Sequence, residues 1–205
     1  MRLVLASANP DKAAEMAAVL GACGFELIPR PPGVAEVAET GSTLEENARL
    51  KAQALVAATG EAAVADDTGL EVEALGGSPG VYSARYAGQD ATYADNVAHL
   101  LAALEGVTLG ERRARFRTVA MVCFPDGREV SAEGVVDGHI ATGARGTGGF
   151  GYDAVFVPDG GAGWSFAEMK PDEKNAVSHR GRAFRALAVA LAAHMTCRRR
   201  DSNSH

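Results

Sequence analysis

The chain has 205 residues, of which 47% are hydrophobic and 22% charged, and its net charge is −6 at pH 7. These values are typical of one globular unit and exclude the disordered and fibrous classes. The acidic balance argues against a protein that coats nucleic acid, and no stretch offers the ~20 apolar residues of a membrane span. We therefore expect a protein with neither a nucleic-acid nor a membrane partner.

Three cysteines, Cys23, Cys123 and Cys197, lie far apart in the chain and form no CxxC spacing. An odd number of cysteines without metal-ligand spacing indicates reduced thiols rather than a disulfide or zinc framework. The start of the chain lacks the basic and apolar segments of a signal peptide. The sequence therefore predicts a cytoplasmic protein that folds as a single unit over residues 1–197. The polar tail, residues 198–205, is predicted to be disordered.

A short apolar run at residues 3–6 predicts a strand that is buried on both faces. A polar loop, residues 7–12, follows, and helical spacing of apolar residues predicts a helix over 13–20. In such strand-loop-helix units the loop lies where open α/β sheets bind ligands. Lys12 is unfavourable in a first helical turn, so an anion bound there would explain it, with a solvated surface lysine as the alternative.

A second strand is predicted over 25–28, and a helix over 44–58 follows a proline-rich connection. Residues 42–46 contain two overlapping capping boxes, which fix the start of this helix. Asn47 and Lys51 are four residues apart, so they share one face of the helix. A solvated lysine is the alternative to a functional Lys51.

An acidic pair, Asp66 and Asp67, follows a short apolar run at 62–65 and is followed by Thr68 and Gly69. We expect the strand to end at this pair and the chemistry of the chain to lie in the loop that begins there. Neighbouring carboxylates suit Mg²⁺, which prefers oxygen ligands and usually shares its shell with substrate phosphates. A solvated turn is the alternative, because Asp and Gly serve ordinary turns well.

The middle of the chain carries β patterns. Alternation of apolar and polar residues over 70–74 is a weak strand pattern, and runs at 115–124 and 129–136 predict an antiparallel hairpin. Between them, Thr92 caps a predicted helix that stops before Gly106. Inserted among strand-helix units, the hairpin implies a mixed sheet. The Tyr and Arg side chains of residues 81–86 indicate a packed surface or a subunit interface.

A glycine-rich stretch, residues 146–151, contains a formal GxGxxG pattern. A dinucleotide fingerprint requires a helix directly after the glycines, whereas a strand is predicted here over 154–157, so we reject that interpretation. A kinase loop is rejected because the other kinase motifs are missing. The remaining interpretations are a backbone that a planar ligand approaches closely, with its ring stacked on Phe150, or a structural turn.

Near the end of the chain, residues 170–175 lead to Ser178, which is a good N-cap for a helix that runs to about residue 193. His179 and Arg180 then fall in the first turn, where cations are unfavourable. Arg can hold a phosphate with two parallel hydrogen bonds, and an imidazole nitrogen can donate to a phosphate or to a base carbonyl. A purely structural role is the alternative for each.

Seven motifs in this order resemble those of the inosine triphosphate pyrophosphatase family, and the match runs from the first predicted strand to the last predicted helix. They are Ser-x-Asn-x-x-Lys at 7–12, Glu-Thr-Gly at 39–41, Glu-Asn-Ala at 46–48, Asp-Asp-Thr-Gly-Leu at 66–70, Pro-Gly-Val-Tyr-Ser-Ala-Arg at 79–85, Gly-Gly-Phe-Gly-Tyr-Asp at 148–153 and Ser-His-Arg-Gly at 178–181.

The resemblance implies an α/β fold: an elongated mixed β-sheet with helices packed around two lobes and the active site in the cleft between them. It also implies a homodimeric, Mg²⁺-dependent hydrolase. Enzymes of that family convert ITP, dITP and XTP, purine triphosphates with a non-standard base, to the monophosphate and pyrophosphate. This reaction cleanses the nucleotide pool.

Carried over by position, the resemblance implies a role for each matching residue. Those expected to hold the triphosphate are Ser7, Ala8, Asn9, Pro10, Asp11, Lys12 and Lys51. Those expected on the nucleoside side are Thr68, Phe150, Gly151, Tyr152, Asp153, Lys174, His179 and Arg180. Glu39 and Asp67 would hold Mg²⁺, with Asp67 also the catalytic proton acceptor and Asp66 a supporting residue.

Three other functions remain open on the sequence. A related pyrophosphatase could prefer a different modified nucleotide, and a non-catalytic nucleotide sensor could use the same pocket without turnover. The acids Glu39, Asp66 and Asp67 favour the enzyme, since a sensor does not require them. A phosphotransferase is disfavoured because the chain lacks GxxxxGK[ST] and the kinase motifs.

Overall fold

The computed structural model describes residues 1–201, and for 195–201 it describes the helical backbone only. The predicted disordered tail, residues 198–205, lies at and beyond this limit, outside the residues described in full, and stays a prediction. In the described chain the α-helices are α1 Pro10–Ala22, α2 Leu44–Thr59, α3 Tyr93–Ala103, α4 Pro171–Val177 and α5 His179–Asp201. The strands are β1 Arg2–Leu5, β2 Glu26–Ile28, β3 Ala63–Val72, β4 Pro79–Gly80, β5 Arg113–Cys123, β6 Glu129–Ile140 and β7 Phe156–Pro158.

The strands form one mixed sheet in the order β2-β1-β3-β5-β6-β7, with β4 paired to β3. Strand β1 is parallel to both neighbours and places Leu3 opposite Leu27 and Val4 opposite Ala63. Strand β4 is antiparallel to β3, and β7 is antiparallel to β6. The predicted mixed α/β fold is therefore confirmed. Among the described residues, no helix is long and apolar enough to cross a membrane.

The prediction that a strand ends at the acidic pair was wrong, because β3 continues through both acids to Val72. Beyond the acids, Leu70 and Val72 are fully buried and hold the strand in the sheet. Gly69 makes room for the short partner strand β4: a Cβ there would lie 2.8 Å from the carbonyl oxygen of Gly80. The Asp-x-Gly pattern that indicated a turn thus serves close strand pairing.

Helix α1 begins earlier than predicted. Asn9 is its N-cap and Pro10 its first residue, which suits proline because the first helical N–H needs no partner. Helix α2 begins as predicted, and of the two possible capping boxes the structure uses Thr43 with Glu46. These local contacts fix where the polar residues of both helices lie.

The described chain divides into two compact units. Unit 1 comprises Met1–Asp67, Thr118–Gly134 and the residues from Arg180 onward, and unit 2 comprises Thr68–Arg117 and Val135–His179. Each unit has a buried apolar cluster of its own. In unit 1 the cluster includes Leu3, Met16, Leu20, Phe184 and Leu187. In unit 2 it includes Phe116, Tyr152, Phe156 and Phe166.

Candidate active site

The predicted triphosphate segment, residues 7–12, comprises the turn between β1 and α1 and the first three residues of α1. The side-chain oxygen of Asn9 accepts hydrogen bonds from the backbone N–H groups of Asp11 and Lys12 at 2.9 and 3.2 Å. The Ser7 hydroxyl accepts from the N–H of Asn9 at 3.2 Å. Ala8 and Pro10 are exposed. A helix N-terminus of this kind favours a bound anion.

Lys12 lies in the first turn of α1 and is half-buried. Burial lowers the pKa of its ammonium group, and the attraction of Asp66 only partly opposes that effect. A lysine whose charge is disfavoured by its surroundings gains from a nearby anion. Lys12 therefore has the properties expected of a phosphate ligand.

Asp66 points into a buried ion-pair network of unit 1. The Arg180 guanidinium donates from Nε to Asp66 Oδ2 at 3.0 Å and from Nη1 to Glu15 Oε2 at 2.6 Å. Burial disfavours the charged carboxylate, but Lys12, Arg180 and Lys51 outweigh that effect and hold the pKa of Asp66 well below its usual range. Asp66 is thus the anion that pairs with Arg180 in this network, and its supporting role in the site stays a prediction.

Asp67 is bound by two donors from α2. Lys51 Nζ donates to Asp67 Oδ1 at 3.0 Å and to Glu39 Oε1 at 2.7 Å, and Asn47 Nδ2 donates to Asp67 Oδ2 at 3.1 Å. Burial raises the pKa of Asp67, with Lys51 opposing this and Glu39 adding to it. For Lys51, burial lowers the pKa, but Asp67 and Glu39 outweigh burial and raise it.

The Glu39 and Asp67 carboxylates fit a divalent cation of the Mg²⁺ type. Both already bind one positive charge, the Lys51 ammonium, from separate parts of the chain. Among the described residues no group of three or more His, Cys, Asp or Glu side chains could hold a metal ion. Mg²⁺ does not require one, because it usually takes one or two carboxylates and completes its shell with water and substrate phosphates.

A second polar group lies in unit 2, where the buried Lys174 Nζ donates to Asp153 Oδ2 at 2.5 Å. The same ammonium lies 4.7 Å from the centroid of the Phe150 ring. The Phe150 N–H donates to Asp153 Oδ2 at 2.8 Å, so one carboxylate oxygen holds both neighbours. His179 stacks on Phe116 with ring centroids 4.3 Å apart.

The remaining predicted residues of the nucleoside side have different environments. Thr68 is half-buried in β3, directly after the acids. Tyr152 is buried and its hydroxyl donates to the carbonyl oxygen of Ser83 at 2.9 Å. Gly151 adopts a φ of 61°, which favours glycine.

The structure brings together some predicted residues and adds others. Glu39, Lys51 and Asp67 meet as expected, whereas Arg180, expected on the nucleoside side, is paired with Asp66 and Glu15 in unit 1. Its nucleoside contact stays a prediction.

Sequence reasoning missed Asn47 and Glu15 as members of the site. Asn47 shares a helix face with Lys51, and Glu15 follows Lys12 by three residues on α1, so helical spacing could have found both.

Comparison with known proteins supplies the family. The sequence profile of the Ham1 family matches residues 3–190. A dITP/XTP pyrophosphatase from Nitratidesulfovibrio vulgaris is 51% identical over 193 residues, covering 90% of this chain and 93% of that protein. One from Methylococcus capsulatus is 49% identical over 196 residues, covering 94% of this chain and 96% of that protein.

Solved structures agree with the sequence comparison. A HAM1 protein from Coxiella burnetii superimposes with a TM-score of 0.84 at 40% identity, covering 94% of this chain and 99% of that one. A nucleoside-triphosphatase, dITP/XTP pyrophosphatase, from Mycobacterium abscessus gives a TM-score of 0.72 at 46% identity, with 91% and 97% covered. Since the family profile and both kinds of relative span almost all of the sequence, this chain belongs to the Ham1 family.

Proposed function

We propose that the chain hydrolyses purine nucleoside triphosphates with a non-standard base, namely ITP, dITP and XTP, to the monophosphate and pyrophosphate. The observation that carries this proposal is the convergence of Glu39 and Asp67 on Lys51 in a cluster that Lys12 also joins electrostatically. Cations and carboxylates are thereby combined as phosphate hydrolysis requires. The relatives named dITP/XTP pyrophosphatase supply the substrate class.

The reaction is attack of water on the α-phosphorus, which breaks the bond to the oxygen that bridges the α- and β-phosphates. Pyrophosphate leaves with that oxygen, and the water loses a proton as it attacks. Lys12 and Lys51 neutralise phosphate charge, and Asp67 accepts the proton. Asp67 suits this step because its carboxylate lies in the same cluster as Glu39 and Lys51.

Glu39 and Asp67 are proposed to hold Mg²⁺. When bound, the ion would supply Lewis-acid polarisation of phosphate oxygens. The Lys51 ammonium contacts both carboxylates, so it would give up at least one of these contacts when they hold the cation. The ammonium is then available to a phosphate, which matches the role the resemblance implies for Lys51.

The nucleoside is proposed to contact the predicted residues of unit 2, with the half-buried Phe150 ring as its stacking surface. The Lys174 ammonium lies over this ring. Discrimination against adenine requires donors directed at the 6-keto oxygen, because such donors stay unpaired when an amino group replaces it. His179, Arg180 and backbone N–H groups are our candidates for these donors.

We further propose that the chain forms a cytoplasmic homodimer through the segment that includes Tyr82 and Arg85. Tyr82 is 58% exposed, and the Arg85 guanidinium lies 5.2 Å from the centroid of its ring. Exposed Tyr and Arg are enriched at subunit interfaces. Sedimentation equilibrium gives twice the chain mass if this is correct and one chain mass if it is wrong.

A substrate panel with product analysis tests the proposed function. With Mg²⁺, the protein should release pyrophosphate and monophosphate from dITP, ITP and XTP, and should hydrolyse ATP far more slowly. Orthophosphate with a diphosphate would refute the reaction type. Equal rates with ATP would refute the specificity, and tight binding of dITP without turnover would identify a sensor instead.

A further inference from the structure

Asn47 is a buried polar residue that none of the roles above explains. Its exposed fraction is 0%, and it lies in α2 one helical turn before Lys51. Asparagine is a weak helix former, and a buried amide costs free energy unless its donor and acceptor are both satisfied. Asn47 satisfies both through contacts outside its helix, which indicates a specific role.

The two contacts fix the orientation of the Asn47 amide. Its Oδ1 accepts from the backbone N–H of Gly41 at 2.8 Å, and its Nδ2 donates to Asp67 Oδ2 at 3.1 Å. Turning the amide over would set a donor against a donor at Gly41 and an acceptor against an acceptor at Asp67. Only one orientation therefore satisfies both neighbours.

Gly41 connects Asn47 to the other predicted metal ligand, because it lies two residues after Glu39 in the same loop. A Cβ at Gly41 would lie 2.6 Å from Glu46 Cβ and 2.7 Å from Asn47 Oδ1. The loop backbone thus lies so close to α2 that a side chain at position 41 would clash with the helix. Asn47 holds the loop that carries Glu39 and, with the other end of the same amide, the carboxylate of Asp67.

Lys51 links the same two carboxylates but differs from Asn47 in charge. The Lys51 ammonium binds the oxygens that would hold a divalent cation, and it would be repelled by the charge of that cation. The neutral Asn47 amide has no such conflict, and it occupies Oδ2 of Asp67 while Lys51 occupies Oδ1. Each carboxylate oxygen has a second lone pair, so Asp67 can bind a cation while Asn47 still holds it.

We propose that Asn47 is a positioning residue that keeps Asp67 and the Glu39 loop in the geometry that binds the divalent cation. The inference rests on the proposed function, since it concerns the same carboxylate pair. Partners that orient metal ligands by hydrogen bonds typically change metal affinity or activity about 10–100-fold when they are removed. The loss should therefore appear in cation affinity, beyond any loss of stability.

Asn96 provides a matched control. Like Asn47, it is buried, and it is the fourth residue of a helix that begins with a Thr capping box. Its Oδ1 accepts from the N–H of Ala87 at 2.8 Å, but its Nδ2 donates to the carbonyl oxygen of Ala84 at 3.1 Å. Both amides thus accept from a backbone N–H outside their helix. They differ in the second bond, which goes to a carboxylate in Asn47 and to a backbone carbonyl in Asn96.

The experiment compares Asn47→Leu and Asn47→Ala with Asn96→Leu and Asn96→Ala. Mn²⁺, which shares the octahedral oxygen preference of Mg²⁺, is titrated into each protein without nucleotide and followed by the electron paramagnetic resonance of the free ion. We expect both Asn47 variants to bind Mn²⁺ about tenfold or more weakly than the unsubstituted protein. Both Asn96 variants should bind it normally even where urea unfolding shows a loss of stability.

Activity gives a second readout. For the Asn47 variants, dITP turnover should fall at low Mg²⁺ and recover as Mg²⁺ is raised, which a merely structural defect would not do. Leucine preserves the volume of the asparagine side chain, whereas alanine only deletes the amide group. If just one of the two Asn47 variants folds, its Mn²⁺ affinity decides whether the positioning role holds. Normal Mn²⁺ affinity in a folded Asn47 variant overturns the positioning role. If the unsubstituted protein itself neither binds Mn²⁺ nor releases pyrophosphate, the proposed function fails instead.

Discussion

Asp66 and Asp67 are neighbours in the chain, yet they have different partners and opposite pKa shifts. Successive side chains of a strand point to opposite faces, and the acids lie inside β3. Asp66 meets Arg180, whereas Asp67 meets Lys51 and Asn47 from α2. The pKa of Asp66 is therefore lowered and that of Asp67 raised. Adjacent positions in one strand thus give the two carboxylates different electrostatic environments.

Replacing Asp67 with asparagine should remove the proposed proton acceptor while preserving the shape of the side chain. We expect kcat for dITP to fall at least about 10²-fold, the lower range for loss of a general base. The variant should still bind nucleotide, because Lys12 and Lys51 remain. Steady-state release of pyrophosphate measures the first effect, and nucleotide titration measures the second.

Asp90→Asn is the control for this substitution, since Asp90 is exposed and outside the proposed site. It makes the same change from carboxylate to amide and should leave turnover unchanged. If Asp67→Asn turns over dITP as fast as Asp90→Asn does, Asp67 is not the proton acceptor, and the base must be sought elsewhere.

At the scale of elements, the glycine-rich loop before β7 depends on one close contact. Gly149 has a φ of 67°, and a Cβ there would lie 2.1 Å from Asp153 Oδ2. That oxygen accepts from Lys174 and from the Phe150 N–H. Gly149 is therefore required for the carboxylate to reach both of its donors.

Gly149→Ala and Gly151→Ala separate this contact from backbone strain. Both glycines have positive φ, 67° and 61°, but a Cβ at Gly151 would meet nothing within 4 Å. Gly151→Ala should lower the free energy of unfolding by about 1–2 kcal/mol, the cost of left-handed backbone for an L-residue. Gly149→Ala should lower it by clearly more, because Asp153 must also move.

Urea unfolding measures both changes. Equal losses for the two variants would show that the Asp153 contact adds nothing to the strain. A similar loss of turnover in the two variants would not decide the question, because Gly151 is itself a predicted substrate residue.

Elements whose ends are set by nearby residues were predictable from sequence, and elements set by distant partners were not. Thr43 and Thr92 cap their helices through contacts three residues away, and both starts were predicted correctly. The length of β3 was not predicted correctly. Its second half pairs with β4 at Gly80, and no pattern within β3 indicates that pairing. Helix α4 was missed although Pro171 at its first position is a local start pattern.

For the molecule as a whole, the same distinction applies to the site. Helical spacing related Asn47 to Lys51, but nothing in the sequence paired Arg180 with Glu15, which lies 165 residues earlier. That network joins α1 and α5, the first and last helices of the described residues, to the central strand β3. It is therefore expected to contribute to the stability of unit 1 as well as to its charge.

Removing the guanidinium tests that contribution. Arg180 and Asp66 are 2% and 3% exposed, so Arg180→Met removes the guanidinium from the buried Asp66 carboxylate and from the half-buried Glu15 carboxylate. Loss of one partner of a buried pair typically costs about 3–5 kcal/mol, and we expect a loss of that order in urea unfolding. Arg113→Met is the control. Arg113 also makes two bonds to a carboxylate, at 3.0 and 2.8 Å to Asp159, but both side chains are exposed.

The control should lose less than about 1 kcal/mol, as exposed pairs do. Adding Asp66→Asn and Glu15→Gln to Arg180→Met should recover part of the lost stability, because neutral amides are cheaper to bury than unpaired carboxylates. Similar losses for Arg180→Met and Arg113→Met would mean that water reaches the network and screens it. A large loss that the added amides do not relieve would instead assign the effect to packing of the Arg180 side chain rather than to its charge.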